Sequence, residues 1–260
     1  AYRSTDLYNW TDLGVTLRSV SKKAELTDKN NPNFEYFNST YGLTKSDGSV
    51  DTAKAEKLFT FLNSYPDQDG DGKADSVQAI FERPKIIYNQ KNKEYVLWWH
   101  SDGSTTPGGS NYARALAGVA VSKNPAGPFK LVGAYRLPNQ NNWKQAAGNP
   151  SWGEDGDSRD MTVFVDPKDQ SAYVVYSSEA NATLYIAKLN DDYTNVVKTT
   201  SVDQSEGQKQ YSESGQYPYI LADGTADAPV RGKDFQIVKQ NGSLEAPAVF
   251  MWNGRYNIIA

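Results

Sequence analysis

The chain has 260 residues, 38% hydrophobic and 22% charged, with Lys+Arg 27 against Asp+Glu 31 and a net charge of −4. That is the balance of an ordinary globular chain long enough for one large domain or two small ones. No basic excess points to nucleic acid, and no apolar run nears the roughly 20 residues of a membrane helix. With no cysteine and one histidine, His100, the chain excludes disulfide scaffolds, zinc–thiolate sites, cysteine nucleophiles and multi-histidine metal centres.

The first segment, AYRSTDLYNWTDLGVTL (1–17), reads as strand, turn and strand. The last residues, GRYNIIA, also read as a strand, and no signal peptide opens the chain. The expectation is a fragment, or a mature chain trimmed at both ends; the alternative is that terminal strands pair to close a ring. An insertion is expected over about 18–78. Its best helix is 51–64, with Asp51 as cap and Leu58, Phe59 and Leu62 as its apolar side.

The insertion ends in PDQDGDGKADS, where Asp67, Asp69, Asp71 and Asp75 follow the alternating spacing of an EF-hand-like loop, with Gly72 at the sharp turn. Alternate acids aim oxygens at one hard cation. A structural Ca2+ is expected, although Gln78 stands where the bidentate glutamate would be.

Three later segments align: ERPKIIYNQKNKEYVLWW from Glu82, DMTVFVDPKDQSAYVVYSS from Asp160 and EAPAVFMWNGRYNIIA from Glu245. Each begins with an acid, runs through β-branched and aromatic residues, turns at Asn or Asp, and returns at a tyrosine. A second hairpin repeats at 117–133, 183–200 and 1–17. One unit is thus a four-stranded antiparallel meander, a β-propeller blade, in an all-β chain with about three blades' worth of strands. The whole of 1–260 is read as a single propeller domain. The polar, turn-rich stretch 201–243 is a second insertion.

Equivalent positions of successive blades lie at equivalent radii, so Glu82, Asp160 and Glu245 should converge on one pocket. Clustered carboxyls push one another's protonation apart, which sets up acid–base chemistry. Carboxyls across a pocket rimmed by aromatic rings fit glycoside cleavage. Trp98, Trp99, Tyr112, Trp143 and Trp152 fall in or near loops that would form the rim, with core packing the expected role of Trp98 and of Trp10. His100 is expected near the pocket, in a hydrogen-bonding or purely structural role.

At these residues the sequence resembles glycoside hydrolase family 43, inverting enzymes on a five-bladed β-propeller, and within it the exo-β-1,3-galactanase branch. The resemblance rests on STDLYNWTDLGVTL, ERPKIIYN, YVLWWHSD, GVAVSKNPAGPFKLVG, SRDMTVFVD, AYVVYSSEANATLYIAKL and EAPAVFMWNGRY. It implies that Glu245 is the general acid, that Asp160 tunes and orients it, and that Glu82 binds the terminal sugar. Tyr112 and Asn181 would touch the same sugar, with Glu179 as a further candidate. The inner strand that carries the family's aspartate base would precede Ala1. The blade whose glutamine positions the water in the galactanase branch would follow Ala260, so no base is assigned.

The resemblance implies an exo-acting β-1,3-galactan hydrolase that releases galactose. The alternatives are an arabinofuranosidase or xylosidase of the same family, chosen by loops 101–116 and 139–157, or a non-catalytic carbohydrate-binding propeller. The implied partner is a polysaccharide or oligosaccharide, with no nucleic acid and no membrane span. The implied form is a monomer, acting in an extracellular or periplasmic setting.

Overall fold

The computed structural model describes residues 1–139, 157–197 and 231–260. The chain opens with a short antiparallel pair, β1 (Tyr2–Arg3) and β2 (Thr11–Asp12). Three helices follow: α1 (Ala24–Thr27), α2 (Phe34–Tyr41) and α3 (Thr52–Leu62). Asp51 caps α3, its carboxylate accepting the Lys54 amide at 3.1 Å, as the sequence predicts. α2 was not predicted, although Phe34, Phe37 and Tyr41 recur on one buried face. Its Asn, Ser, Thr and aromatic residues are weak helix formers, and tertiary packing overrides them.

β3 (Ala79–Asn89), β4 (Glu94–Gly103), β5 (Leu116–Ser122) and β6 (Lys130–Tyr135) form one antiparallel four-stranded sheet in sequence order. β7 (Met161–Val165), β8 (Ala172–Ser178), β9 (Thr183–Lys188) and β10 (Phe235–Lys239) form a second, also in sequence order. β11 (Ala248–Trp252) and β12 (Arg255–Ile259) pair through Asn253-Gly254, both at positive φ (+48° and +72°), as a tight hairpin turn demands. The architecture is an all-β propeller, and the twelve described strands amount to three blades. No helix among the described residues is long and apolar enough to cross a membrane.

β10 corrects the boundary of the second insertion. The fourth strand of the second blade is Phe235–Lys239, inside the stretch 201–243, and not the residues after Asn190. Of those, the described ones, to residue 197, make only an isolated bridge, Leu189 to Val196. Phe235 is the reason: it buries its ring against Tyr185 in the inter-blade core. Residues 201–230 lie outside the described part.

β4 explains why its sequence, YVLWW, is apolar without alternation. Successive side chains point to opposite faces of a strand, and here both faces are covered. Leu97 and Trp99 join the core that α1–α3 build over the first blade, with Phe37, Leu58 and Phe61. Val96 and Trp98 join the core between the two blades, with Met161, Val174, Tyr176 and Tyr185. The Trp98 indole donates to the Tyr193 carbonyl at 2.8 Å, fastening the two blades together. Gly118 gives Trp99 its room, since a Cβ there would lie 2.1 Å from the indole. Trp10, expected in the core, is instead 55% exposed on the β1–β2 turn, its indole donating to the Leu7 carbonyl.

β3 and β11 both pack beside β7, so the first strands of three successive units stand next to one another. This brings the three repeat acids together.

Candidate active site

Glu82 lies within β3, opposite His100 of β4. The pairing register shifts between Glu82 and Lys85, where Arg83 takes φ +54° just before Pro84. Ala246, in the corresponding Glu-Ala-Pro, takes φ +49°. A left-handed non-glycine residue before proline is costly backbone, and it recurs beside two of the three acids. The bulge turns the Arg83 guanidinium onto Asp160, Nε to Oδ2 at 3.0 Å.

Asp160 directly precedes β7 and is 6% exposed. Its Oδ2 also accepts the Ala246 amide at 2.9 Å. One carboxylate oxygen therefore ties the residue after Glu82 to the residue after Glu245. The neighbouring His100 is the largest cause holding the Asp160 carboxyl below its ordinary range; burial opposes this, and the Ala246 amide and Arg83 add to it.

Glu245 is exposed, and its Oε1 accepts the Asn181 side-chain amide at 2.9 Å. The backbone beneath it is latched to the β8–β9 turn: the Leu244 amide donates to the Asn181 carbonyl at 3.0 Å, and the Ser177 hydroxyl donates to the Leu244 carbonyl. That turn carries three consecutive left-handed residues, Glu179, Ala180 and Asn181 (φ +56°, +54° and +68°). Asp157 holds it in shape, accepting from the Glu179 amide at 2.7 Å and the Ser178 hydroxyl at 2.7 Å. Strain of this kind, held by several bonds, aims Asn181 at Glu245.

Glu179 corrects the sequence expectation. It is fully buried, and its carboxylate accepts from the hydroxyls of Thr183 and Tyr185, so it cannot meet a sugar. The turn sends Glu179 inward, whereas the half-buried Asn181 turns its amide to Glu245. Tyr112 does stand at the surface, 49% exposed, donating its hydroxyl to Glu82 Oε1 at 2.9 Å. That bond holds the phenol above its usual pKa.

The structure thus groups Glu82, Asp160, Glu245, Tyr112 and Asn181 on one face. Beneath them lies a buried charged layer, of which sequence reasoning placed only His100 near the pocket. His100, 3% exposed, sets Nε2 2.8 Å from Asp102 Oδ2 and Nδ1 3.2 Å from Glu82 Oε2. Asp102, fully buried, also accepts the amides of Gly103, Arg114 and Ala115 at 2.9, 3.0 and 3.1 Å. Arg159 lies between Asp102 and Asp157, at 3.7 and 3.5 Å. The available signal was His100-x-Asp102, two polar residues on one face of a strand otherwise buried.

Outside this cluster, Asp67, Asp69 and Asp71 each offer an oxygen within 4.8 Å of the others. Asp75, expected with them, is turned away: its Oδ2 accepts the amides of Gln68 and Asp69 at 3.0 and 3.3 Å. In the same loop Gly70 and Gly72 take φ +87° and +86°. Trp143 and Trp152 lie outside the described residues.

No family model and no curated protein matches the chain. Solved structures do. A family 43 β-1,3-galactosidase, determined with galactodeoxynojirimycin, is 25% identical over 99% of this chain and 58% of its own, with a TM-score of 0.53. A second family 43 β-1,3-galactosidase is 24% identical over 98% of this chain and 32% of its own, with a TM-score of 0.50. An exo-β-1,3-galactanase from Phanerochaete chrysosporium is 30% identical over 69% of this chain and 29% of its own, with a TM-score of 0.42. The chain therefore spans between 29% and 58% of the length of these proteins. The first likeness runs through every blade described above, and the family 43 neighbours are five-bladed propellers. The chain is related to the galactanase-like enzymes of glycoside hydrolase family 43.

Proposed function

We propose that the protein is a glycoside hydrolase that removes galactose from the end of β-1,3-galactan with inversion. The observation that carries this reading is the Asp160 carboxylate, bonded at once to Arg83 and to the Ala246 amide, which draws the acids of three blades into one site. Kinship with family 43 supports the reaction class, and the galactosidase likeness supports the sugar.

In this reading Glu245 is the general acid that protonates the leaving oxygen. Asn181 occupies Oε1 and leaves Oε2 to carry the transferred proton. Asp160 stays ionised and fixes the backbone one residue beyond the acid. Glu82 and the Tyr112 hydroxyl, joined to each other and open to solvent, grip hydroxyls of the terminal sugar.

The reading extends to a structural Ca2+ held by Asp67, Asp69 and Asp71. It also extends to action as a monomer on a polysaccharide outside the cytoplasm, where such a substrate is met. Proton NMR of the products formed in the first minutes from β-1,3-galactan tests the mechanism. Galactose appearing first as the α-anomer supports inversion; the β-anomer first contradicts it.

A further inference from the structure

We propose that His100 is a positioning residue that works as an imidazolium, clamped between Asp102 below and the Glu82–Asp160 pair above, and that this clamp sets the grip of Glu82 on the sugar. The proposal rests on the reading of Glu82 as a sugar-binding carboxylate.

The geometry sets a carboxylate against each ring nitrogen. Nε2 lies 2.8 Å from Asp102 Oδ2, and Nδ1 lies 3.2 Å from Glu82 Oε2 and 3.6 Å from Asp160 Oδ1. A neutral imidazole has one donor and one acceptor nitrogen, so it would turn a lone pair toward a carboxylate oxygen on one side. The Asp102 side is fixed as an ionised acceptor by three backbone amides besides the ring. Nδ1 is buried and makes no formed hydrogen bond, facing Glu82 as an ion-pair contact that a small shift on sugar binding would tighten.

The charged groups around the ring are carboxylates on its own two sides and guanidiniums further out. Three carboxylates, Glu82, Asp102 and Asp160, meet the ring. Two guanidinium groups face them, Arg83 from β3 on Asp160 and Arg159 from the segment before β7 near Asp102. The Arg114 guanidinium turns instead to the carbonyls of Ser104 and Thr60, and Lys85 stands further along β3. From the loop above, Tyr112 sets its ring 6.4 Å from the imidazole and its hydroxyl on Glu82. Burial pulls the ring's pKa down, but Asp102, Asp160 and Glu82 outweigh burial, and the net direction is upward.

His100 is the chain's one histidine, so its ring can be observed without assignment. Nitrogen-15 NMR of the whole chain in chelator-treated buffer should show both ring nitrogens protonated at neutral pH, with a midpoint above 6.5. Asp102→Asn should lower that midpoint. A neutral tautomer at pH 7, or a midpoint at or below 6.5, overturns the proposal, whatever the protein hydrolyses. With galactan as substrate, His100→Gln should raise KM by about tenfold, the loss of one charge-assisted contact, with a smaller change in kcat. Its KM should also lack the alkaline-side rise that the proposal predicts for the parent chain. A folded His100→Gln chain with the parent's KM profile overturns the positioning role while leaving the hydrolase reading intact.

Discussion

Asp160→Ala removes the carboxylate on which the site converges, and its cost can be worked from two contacts. The Ala246 amide, bonded at 2.9 Å, would be left without an acceptor in a part-buried setting, which costs about 1–3 kcal/mol. The Arg83 contact at 3.0 Å adds less, because that guanidinium is 46% exposed and solvent screens it to at most about 1 kcal/mol. The sum centres near 2.5 kcal/mol, and at about 2–4 °C per kcal/mol Tm falls by about 5–10 °C. Asp160→Asn keeps an acceptor for the amide and loses only the charge, so its Tm should fall by less than half as much. Calorimetry on the three chains reads the difference. If both variants lower turnover on galactan by at least about 10²-fold while differing in Tm as stated, the carboxylate has separate structural and chemical duties. An Asp160→Ala chain with the parent's Tm would refute the tie between Glu82 and Glu245 that underlies the site.

Gly118→Ala would place a Cβ 2.1 Å from the indole of the buried Trp99, so overpacking of about 1–3 kcal/mol should appear as a Tm drop of about 2–12 °C; an unchanged Tm would contradict the packing. Stability should also depend on pH in a set way. Asp102 and Asp160 are held below 3.8 in the folded chain, so their stabilisation is complete above that pH and is lost as pH falls below it. His100 is held above 6.5, so its stabilisation is complete below that pH and is lost as pH rises through the folded value. A Tm profile without decline on both sides would contradict these directions. Calcium should bind with measurable heat to the parent chain and more weakly to Asp69→Ala, which removes one of the three grouped carboxylates; flat traces for both would rule out the cation.

Much of the fold is legible because a propeller blade is local. The strands β3–β9, β11 and β12 and their turns each follow from a few neighbouring residues, and the repeat follows from comparing them. β10 is not legible, because it reaches its partner β9 across a long polar stretch and only the burial of Phe235 against Tyr185 gives it away. The meeting of Glu82, Asp160 and Glu245 follows from the repeat. The layer beneath does not, because the approach of His100 to Glu82 depends on the register of β3 against β4 and on the bulge after Glu82. Glu179 misleads for a related reason. Two residues from Asn181 in sequence, it faces the interior because three left-handed residues reverse the chain there.

The central claim is that Glu245 donates the proton in cleavage of a galactosyl bond. Chromatography of products from β-1,3-galactan incubated with the parent chain and with Glu245→Gln tests it most directly. The account predicts free galactose, without larger oligomers at early times, from the parent chain. It predicts a loss of about 10²–10⁴-fold or more in Glu245→Gln, whose Tm stays near the parent's because the side chain is exposed. Galactose released at the parent's rate by Glu245→Gln would contradict it.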